Sequence, residues 1–335
     1  MNAMIFSKLP ELRITVNSRC ERACFFCRPS GEAVETKAGI ELDVETVLRV
    51  VKICEGFGIS YVKLTGGDPA LWSPLAECVQ KIKEQTSCRV EVISRHPKIA
   101  GFARQLAQAR VDMLNISVDT LDPDLHRKIT GVNDLGGILE ALKIYAGMGV
   151  PCKVNVVVLK GVNDHEINSL ISFCESAGVK IVKLLDLMTD IEDGTETFVQ
   201  RMRLLGFDSL RELYLPLQNI AENLRRRAIN ERRFQQPGGL GNPMLGFTMK
   251  SGLEVVIKDH HAGAWYGSIC RGCKHYPCSS ALMALRLTAD ARLQYCLFRE
   301  DLCIDTKLVE PQRLTDVIAS ALRVYDEAVF HQGPE

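Results

Sequence analysis

The most informative segment of the sequence reads Cys20-Glu21-Arg22-Ala23-Cys24-Phe25-Phe26-Cys27. Its spacing, C-x3-C-x2-C, lets one short loop present three thiolates to a metal centre. A structural zinc site closes its tetrahedron with a fourth ligand, whereas an iron–sulfur cluster held by three cysteines keeps one iron free for a non-protein ligand. Residues 12–16 read as a short strand, so the loop leaves the carboxyl end of that strand. The segment therefore predicts an iron–sulfur loop, with zinc-binding or buried thiols as the alternative.

The composition is that of an ordinary globular protein. With 335 residues, the chain is long enough for one large and one smaller domain. Its 41 basic and 41 acidic residues balance, so charge indicates neither nucleic acid nor an anionic membrane as a partner. The sequence has no apolar run of about 18 residues and no signal-peptide pattern. Thirteen cysteines are typical of a reducing compartment, and we therefore expect a cytoplasmic protein without a disulfide scaffold.

The first two thirds of the chain alternate strand and helix patterns. Runs rich in Val, Ile and Leu predict strands at residues 13–16, 61–64, 90–93, 113–118, 154–159 and 181–185. Helical patterns lie between them at residues 43–57, 74–86, 99–109, 135–149 and 164–177. Six strands with helical crossovers imply the α/β class and a parallel sheet, curved as an incomplete (βα)6 TIM-like barrel. Catalytic groups of such barrels lie at the carboxyl ends of the strands, where the cysteine loop begins.

The alternation stops near residue 195, which predicts a second domain. Residues 208–233 have the pattern of a helix with a basic end, and the breaker-rich segment 237–243 reads as a linker. Short strands and a final helix are predicted after it, at residues 247–249, 253–257 and 311–330. We therefore divide the chain into a partial barrel, residues 1–236, and a small C-terminal iron–sulfur cluster domain, residues 237–335.

A second candidate ligand loop, Thr65-Gly66-Gly67-Asp68-Pro69, follows the second predicted strand. Its two glycines let the backbone approach a ligand closely, and its carboxylate can accept hydrogen bonds from an ammonium group. In isolation the segment reads as a turn. At the carboxyl end of a barrel strand, where ligands bind, the same segment is a candidate ligand-binding loop.

The cysteine loop, with Phe26 before its last cysteine, resembles the signature of the radical S-adenosylmethionine (radical SAM) superfamily. The resemblance implies that Cys20, Cys24 and Cys27 hold a [4Fe–4S] cluster whose open iron chelates S-adenosylmethionine (SAM). One electron then cleaves SAM to a 5′-deoxyadenosyl radical, which abstracts hydrogen from a substrate; the protein binds, orients and shields the cofactor. The resemblance further implies these SAM-contacting residues: Phe26, Gly66, Gly67, Asp68, Ser94 and Ser117. Asp68 replaces the glutamate that is usual in the family's Gly-Gly-Glu motif.

Four further segments resemble the GTP 3′,8-cyclase family of molybdenum-cofactor biosynthesis, at residues 63–69, 115–123, 153–164 and 285–298. The resemblance extends over most of residues 11–305 and is weakest over residues 195–280. It implies a second, auxiliary [4Fe–4S] cluster in the C-terminal region. In that family the open iron of the auxiliary cluster meets the guanine.

The C-terminal cysteines have the pattern Cys270-x2-Cys273-x4-Cys278-x17-Cys296-x6-Cys303. Cys270, Cys273 and Cys296 match the family pattern C-x2-C-x13-C, but 22 residues separate Cys273 from Cys296 here. Cys278 lies in the insertion, and if it is a ligand the cluster is closed and does not bind substrate through iron. The sequence leaves both Cys278 and Cys303 open as further ligands. Zinc is the alternative, because C-x2-C pairs bind both metals.

The family binds a triphosphate with basic side chains, and the matching charged positions here are Arg13, Lys63, Lys160, Lys183 and Arg286. Lys63 and Lys183 stand where the family has arginine, which removes bidentate contacts. Tyr61 and Ala284 replace basic residues, and the chain ends Gln332-Gly333-Pro334-Glu335 where the family has Gly-Gly. We therefore expect the same radical to act on a different, less anionic molecule.

The sequence thus predicts a radical SAM enzyme that acts on a small molecule, nucleotide-like or otherwise, in cofactor or natural-product biosynthesis. We expect an electron donor such as flavodoxin or ferredoxin, and neither nucleic acid nor a membrane as a partner. Three alternatives are an authentic GTP 3′,8-cyclase, a peptide-modifying radical SAM enzyme, and a non-enzymatic iron–sulfur or zinc redox sensor.

Overall fold

The computed structural model describes residues 5–27, 39–190 and 196–332. The helices in these ranges are α1 Val44–Gly56, α2 Leu75–Gln85, α3 Ala103–Gln108, α4 Pro123–Thr130, α5 Leu135–Gly147, α6 Ile167–Ser176, α7 Glu196–Leu204, α8 Gln218–Arg225 and α9 Pro311–Asp326. The strands are β1 Glu11–Thr15, β2 Tyr61–Thr65, β3 Arg89–Ser94, β4 Met113–Ser117, β5 Cys152–Val157, β6 Ile181–Leu185, β7 Asn230–Phe234, β8 Met244–Thr248, β9 Glu254–Lys258, β10 Ala264–Tyr266, β11 Ala284–Leu287, β12 Arg292–Gln294, β13 Cys303–Asp305 and β14 Val329–His331. The C-terminal residues 333–335, where the sequence departs from the family's Gly-Gly, lie outside the described residues.

Strands β1 to β6 form a parallel sheet in sequence order. Helical segments connect successive strands, as the alternating sequence pattern predicts. All six predicted strands are present, with ends that differ by at most two residues, and the predicted α/β class with a parallel sheet is confirmed. The carboxyl ends of these strands therefore meet at one edge, which carries the cysteine loop after β1.

Apolar and charged side chains alternate along these strands, so one face of the sheet packs in the apolar core and the other is charged. Val62 and Leu64 on β2, and Val182 and Leu184 on β6, are fully buried in the apolar core beneath the helices. Successive strand side chains point to opposite faces, so the lysine between each of these pairs points away from that core. Lys63 and Lys183 both line an internal cavity, which we call the lumen cavity.

Local sequence explains where several helices begin and end. The Asp43 carboxylate accepts a hydrogen bond from the Thr46 amide at 2.7 Å, and this caps the start of α1. Asp122 caps α4 in the same way, and Gly131 ends that helix with a φ of 87°, a left-handed conformation that favours glycine. Helix α4 was not predicted from the sequence, although it begins with an Asp-Pro pair of the expected kind.

The C-terminal region extends both edges of the parallel sheet. Strand β11 pairs in parallel with β1, and β9 pairs in parallel with β6. Antiparallel strands continue outward on each side, which gives the order β13-β12-β11-β1-β2-β3-β4-β5-β6-β9-β8-β7 in the described residues. The division at residues 236 and 237 stays a prediction; the β7–β8 hairpin crosses it.

The predicted helix at residues 208–233 is wrong. Only α8 lies within it, and its basic end is the strand β7, whose Arg232 pairs with Gly246 of β8. The Arg232 guanidinium also contacts the Glu254 carboxylate on β9. The hydrogen bonds between β7 and β8 therefore make this segment a strand, although its local sequence pattern is helical. None of the described helices is long and apolar enough to span a membrane.

Candidate active site

The cysteine loop is anchored to the end of α4. The Ala23 amide donates to the Thr130 carbonyl at 2.9 Å, and Arg22 forms an ion pair with Asp134. Within the loop, the Cys27 amide donates to the Cys24 carbonyl at 2.9 Å, which makes a tight turn. Cys24 is buried, whereas Cys20 and Cys27 are partly exposed. The loop is therefore attached to the end of α4 through Arg22 and Ala23 and closed by an internal turn.

The Gly66-Gly67 turn packs directly on the start of the cysteine loop. The Gly67 amide donates to the Asn17 carbonyl at 2.8 Å, and the Asp68 amide donates to the Arg19 carbonyl at 2.7 Å. A Cβ atom added to Gly67 would lie 2.0 Å from the Arg19 carbonyl oxygen. Only glycine allows this approach, so the turn sets the position of the backbone that enters the cysteine loop.

The structure brings two of the predicted SAM-contacting residues into direct contact. The buried Asp68 carboxylate accepts hydrogen bonds from the Ser94 hydroxyl at 2.7 Å, the Arg95 amide at 2.8 Å and the Ala70 amide at 3.0 Å. A carboxylate has about four acceptor sites, so one remains for a ligand ammonium group. Ser117 lies at the carboxyl end of β4 and is partly exposed.

Arg95 is a site residue that the sequence reasoning missed. Its guanidinium forms an ion pair with Asp119 and lies 5.6 Å from the centre of the Phe26 ring. Burial alone would lower the pKa of Arg95, but Asp119 and the thiols of Cys24 and Cys27 outweigh it and raise that pKa. A cation is thus held beside the cysteine loop. The available signal was its place directly after Ser94, at the carboxyl end of a strand.

The cysteine groups fit iron–sulfur clusters better than single ions. Burial and the Asp68 charge raise the pKa of Cys20 to about 11, a cost that binding of a cationic centre reverses. Zinc at about 2.3 Å from each thiolate draws its sulfurs to within about 4 Å of one another. In the described ranges, the one group of three or more His, Cys, Asp or Glu ligand atoms that all lie within 4.8 Å of one another contains no cysteine. The cysteine sulfurs are therefore spread more widely than a single zinc ion requires.

The C-terminal cysteines Cys270, Cys273, Cys278 and Cys296 form one electrostatically coupled group. Burial is the main cause that raises the pKa of Cys270, Cys278 and Cys296. As a smaller cause, Cys296 also raises the pKa of Cys270 and Cys278, and Cys273 raises that of Cys296. The Tyr266 hydroxyl donates to the Cys278 carbonyl at 2.9 Å and fixes the inserted segment. Cys303 lies on β13, opposite Gln294 of β12. Cys278 and Cys303 both stay candidates for the fourth ligand.

The lumen cavity contains four of the five predicted substrate-binding residues. It has a volume of about 200 Å³, and Phe26 of the cysteine loop is part of its wall. Its cationic lining residues are Arg13, Lys63, Lys153, Lys183, Lys258 and Arg286. Lys160 is exposed and is not among the lining residues.

Two buried carboxylates neutralise part of this positive charge. Glu11 lies 2.5 Å from the Lys63 ammonium and 3.2 Å from the Arg13 guanidinium, and Glu91 lies 3.1 Å from the Lys153 ammonium. Burial would raise the pKa of Glu11 and Glu91, but the lysine charges outweigh it and lower each pKa to about 2. Both carboxylates are therefore ionised at neutral pH. The sequence carried a signal for these buried charges, because charged residues occupy alternate positions of strands that are otherwise apolar.

Lys183 differs from these paired cations. Among the described residues, no hydrogen-bond acceptor or ion-pair partner is found for its ammonium group. Burial, followed by the charges of Lys63, Lys153 and Lys258, lowers the pKa of Lys183 well below its usual range. A bound anion would reverse this effect, because an opposite charge favours the protonated amine.

Comparison with known proteins places these features in a family. Residues 14–174 match the radical SAM superfamily. A probable GTP 3′,8-cyclase of Thermococcus kodakarensis is 30% identical over 297 residues, which cover 88% of this chain and 86% of the relative. One of Pyrococcus horikoshii is 28% identical over 325 residues, or 96% and 94% of the two chains.

Among solved structures, SuiB of Streptococcus suis bound to S-adenosylmethionine has a similar fold. The TM-score is 0.64 at 14% identity, and the match covers 94% of this chain and 66% of SuiB. At this identity the likeness concerns the fold alone.

Proposed function

The chain belongs to the radical SAM superfamily, among relatives of the GTP 3′,8-cyclases, and we propose that its substrate is a small, moderately anionic molecule bound in the lumen cavity. It is a radical SAM enzyme, with SAM and [4Fe–4S] clusters as its cofactors. The non-enzymatic sensor alternative is therefore set aside. The proposal concerns the residues and the class of substrate.

On the SAM side, the proposal assigns the first cluster to Cys20, Cys24 and Cys27. When bound, the cluster and SAM supply a 5′-deoxyadenosyl radical by one-electron cleavage. Gly67 sets the loop position, Asp68 accepts from the SAM ammonium group, and Ser94 orients that carboxylate. Phe26, Gly66 and Ser117 complete the proposed contacts. Arg95 supplies positive charge beside the thiolates, and Phe26 separates this region from the lumen cavity.

On the substrate side, the proposal rests on the mixed charge of the lumen cavity. Glu11 and Glu91 engage Arg13, Lys63 and Lys153, so these cations already have anionic partners inside the protein. Lys183 is the cation best suited to hold an anionic substrate group. A triphosphate needs several basic side chains at once, whereas a single phosphate or carboxylate does not. We therefore propose a substrate with fewer negative charges than GTP, because Glu11 and Glu91 offset part of the charge of the six cationic lining residues.

Cys270, Cys273, Cys278 and Cys296 are proposed as ligands of the auxiliary cluster. Four thiolates close the coordination of a [4Fe–4S] cluster, so this cluster would not bind substrate directly. Its role in the proposal is electron transfer or support of the cavity wall. The division into a barrel, residues 1–236, and a cluster domain, residues 237–335, is part of the same proposal.

GTP 3′,8-cyclase activity is the second candidate, because the relatives of 28–30% identity are named probable GTP 3′,8-cyclases. Peptide modification is a weaker candidate, since the lumen cavity of about 200 Å³ suits a small molecule. Thirteen cysteines and a sequence pI of about 7.0 fit a cytoplasmic enzyme. Its proposed electron donor is a flavodoxin or a ferredoxin, and the proposal includes neither nucleic acid nor a membrane.

An anaerobic assay tests the proposal. Protein reconstituted with iron and sulfide is incubated with SAM and dithionite, with and without GTP, and the products are measured by mass spectrometry. We expect 5′-deoxyadenosine while GTP stays intact. The Cys20→Ala/Cys24→Ala/Cys27→Ala variant forms none, and Cys88→Ala, outside both cysteine groups, serves as the control. Conversion of GTP to a cyclised product would establish the second candidate instead.

Nucleotide binding tests the class of substrate. Equilibrium dialysis of the cluster-loaded protein compares GMP with GTP, in the wild type and in Lys183→Met and Lys160→Met variants. Loss of a charge-assisted contact costs about 1.5–3 kcal/mol, so Lys183→Met should weaken GMP binding at least about tenfold. Lys160→Met, outside the cavity, should bind as the wild type does. Equal effects of the two variants would contradict the proposed role of the cavity.

A further inference from the structure

Four potential metal ligands lie at the carboxyl ends of β6 and β9, outside both cysteine groups. These two strands are parallel neighbours, so Asp186 and Asp259, each the residue that follows its strand, emerge side by side. Asp259 begins a 3₁₀ turn that brings His260 and His261 to the carboxylates. One donor atom from each of the four side chains lies within 4.8 Å of all the others.

The protein itself holds these side chains in place. Asp186 accepts a hydrogen bond from the His260 amide at 2.8 Å and also contacts the His260 ring nitrogen Nδ1. Asp259 accepts from the His261 amide at 2.9 Å, and the Tyr214 hydroxyl lies 2.6 Å from His261 Nδ1. The Tyr214 ring packs against both imidazoles. The ligand atoms are thus positioned before any ion binds.

Burial and charge favour a cation at this position. The Asp186 and Asp259 side chains are only 5% and 11% exposed, and buried carboxylates need compensating positive charge. The His260 and His261 side chains are 20% and 34% exposed, which gives an ion a path from solvent.

Two imidazole nitrogens with two carboxylate oxygens form a donor set typical of zinc and ferrous ions. We propose that Asp186, Asp259, His260 and His261 bind one divalent transition-metal ion of this kind. Tyr214 positions His261 from outside the ligand set, as outer hydrogen-bond partners do at metal sites. The competing interpretation is a metal-free ion pair between Asp186 and protonated His260.

The four proposed ligands lie between two cavities, so a bound ion would have a structural role. Asp186 lines the lumen cavity, whereas Asp259 and His261 line a separate groove of about 310 Å³ beside α8. An ion bound by all four ligands would lie in the wall between these spaces and would join the ends of β6 and β9. It is separate from both cysteine groups, and the inference does not rest on the proposed substrate.

Zinc titration of the cluster-loaded protein tests the inference. The protein is treated with a weak chelator, its iron and sulfide are counted to verify intact clusters, and Zn²⁺ alone is added in a calorimeter. Parallel titration with Co²⁺, followed by difference absorption, distinguishes imidazole and carboxylate ligands from thiolates. The variants are His261→Gln and Asp259→Asn. The control is His165→Gln, whose side chain is 71% exposed and is not part of the ligand group.

We expect the wild type and the control to bind one equivalent of Zn²⁺ with a cobalt spectrum free of thiolate bands. His261→Gln and Asp259→Asn should each weaken Zn²⁺ binding about 10-fold or more. Loss of an outer hydrogen-bond partner already costs this much at metal sites, and loss of a ligand should cost at least as much. Zn²⁺ should also raise the melting temperature of the wild type but not of His261→Gln. Absence of this equivalent in the wild type, or equal affinity in all variants, would overturn the inference in favour of the ion pair.

Discussion

Replacement of Glu91 by glutamine tests the charge network beneath the lumen cavity. The Glu91 carboxylate lies 3.1 Å from the Lys153 ammonium and 3.9 Å from that of Lys63, and it accepts a hydrogen bond from Asn115 at 2.9 Å. At an effective dielectric constant of about 20, each of the two charge contacts is worth about 4–5 kcal/mol before the cost of desolvation. Glutamine keeps the size and the acceptor for Asn115 but removes the charge.

The two lysines are affected unequally. Lys63 keeps Glu11 at 2.5 Å, whereas Lys153 loses the partner that it contacts at 3.1 Å. Removal of one member of a buried pair costs about 3–5 kcal/mol, because the other charge is left without compensation. We expect Glu91→Gln to lower the free energy of unfolding by about 3 kcal/mol, the lower end of this range, since Lys63 remains paired.

Urea unfolding of the cluster-loaded protein, followed anaerobically by circular dichroism, measures this effect as a lower midpoint. The double variant Glu91→Gln/Lys153→Met should recover more than half of the loss, because it leaves no unpaired charge. Glu77→Gln, which removes an exposed carboxylate that pairs with the partly exposed Lys81, is the matched control and should unfold at the wild-type urea concentration. If Glu91→Gln unfolds at the same urea concentration as this control, the reasoning about the buried network is refuted.

Three further predictions concern pH and the two cysteine groups. The pKa of Glu91 is lowered from 4.5 to about 2, so the stability that its charge contributes is complete above about pH 4.5 and is lost as the pH falls toward 2. The difference in urea midpoint between the wild type and Glu91→Gln should therefore shrink as the pH falls from 4.5 to 2. A difference that stays constant over this range would contradict the prediction. Cys278→Ser should lower the iron content of the reconstituted protein toward one cluster per chain, whereas Cys303→Ser should keep both clusters. Iron analysis and electron paramagnetic resonance count the clusters. The reverse result would assign the fourth ligand to Cys303. Gly67→Ala should slow 5′-deoxyadenosine formation at least about tenfold, since its Cβ would lie 2.0 Å from a backbone oxygen, whereas Gly101→Ala, with no atom within 4 Å, should keep the wild-type rate.

The sequence predicted the parallel sheet well because its signals are local. Each barrel strand is a short run of Val, Ile and Leu, and each is followed by a helical pattern with recognisable ends. The segment 208–233 was predicted as one helix because the hydrogen bonds of β7 go to β8, a partner that no local pattern identifies. Pairing of β9 and β11 with the barrel edges escaped prediction for the same reason.

The site was predicted only where a short motif carries it. The cysteine loop and the Gly66-Gly67 turn are contiguous in sequence, so their spacing alone points to the chemistry. Glu11 and Glu91 lie on different strands, and their partners become neighbours only when the sheet forms. The same holds for Asp186 and the two histidines after β9. Such groups depend on strand register, which a single sequence does not reveal.

The pairing of β1 with β11 has a consequence for synthesis on the ribosome. Glu11, near the start of the chain, lies opposite Ala284, so the first barrel strand keeps an open edge until most of the polypeptide has been made. An unpaired strand edge is a template for pairing with other chains. The cysteine loop follows this strand directly, so the nascent protein carries its thiolates and its open edge together. Closure of this edge therefore waits for β11, and until then the thiolates of the cysteine loop adjoin an unpaired strand.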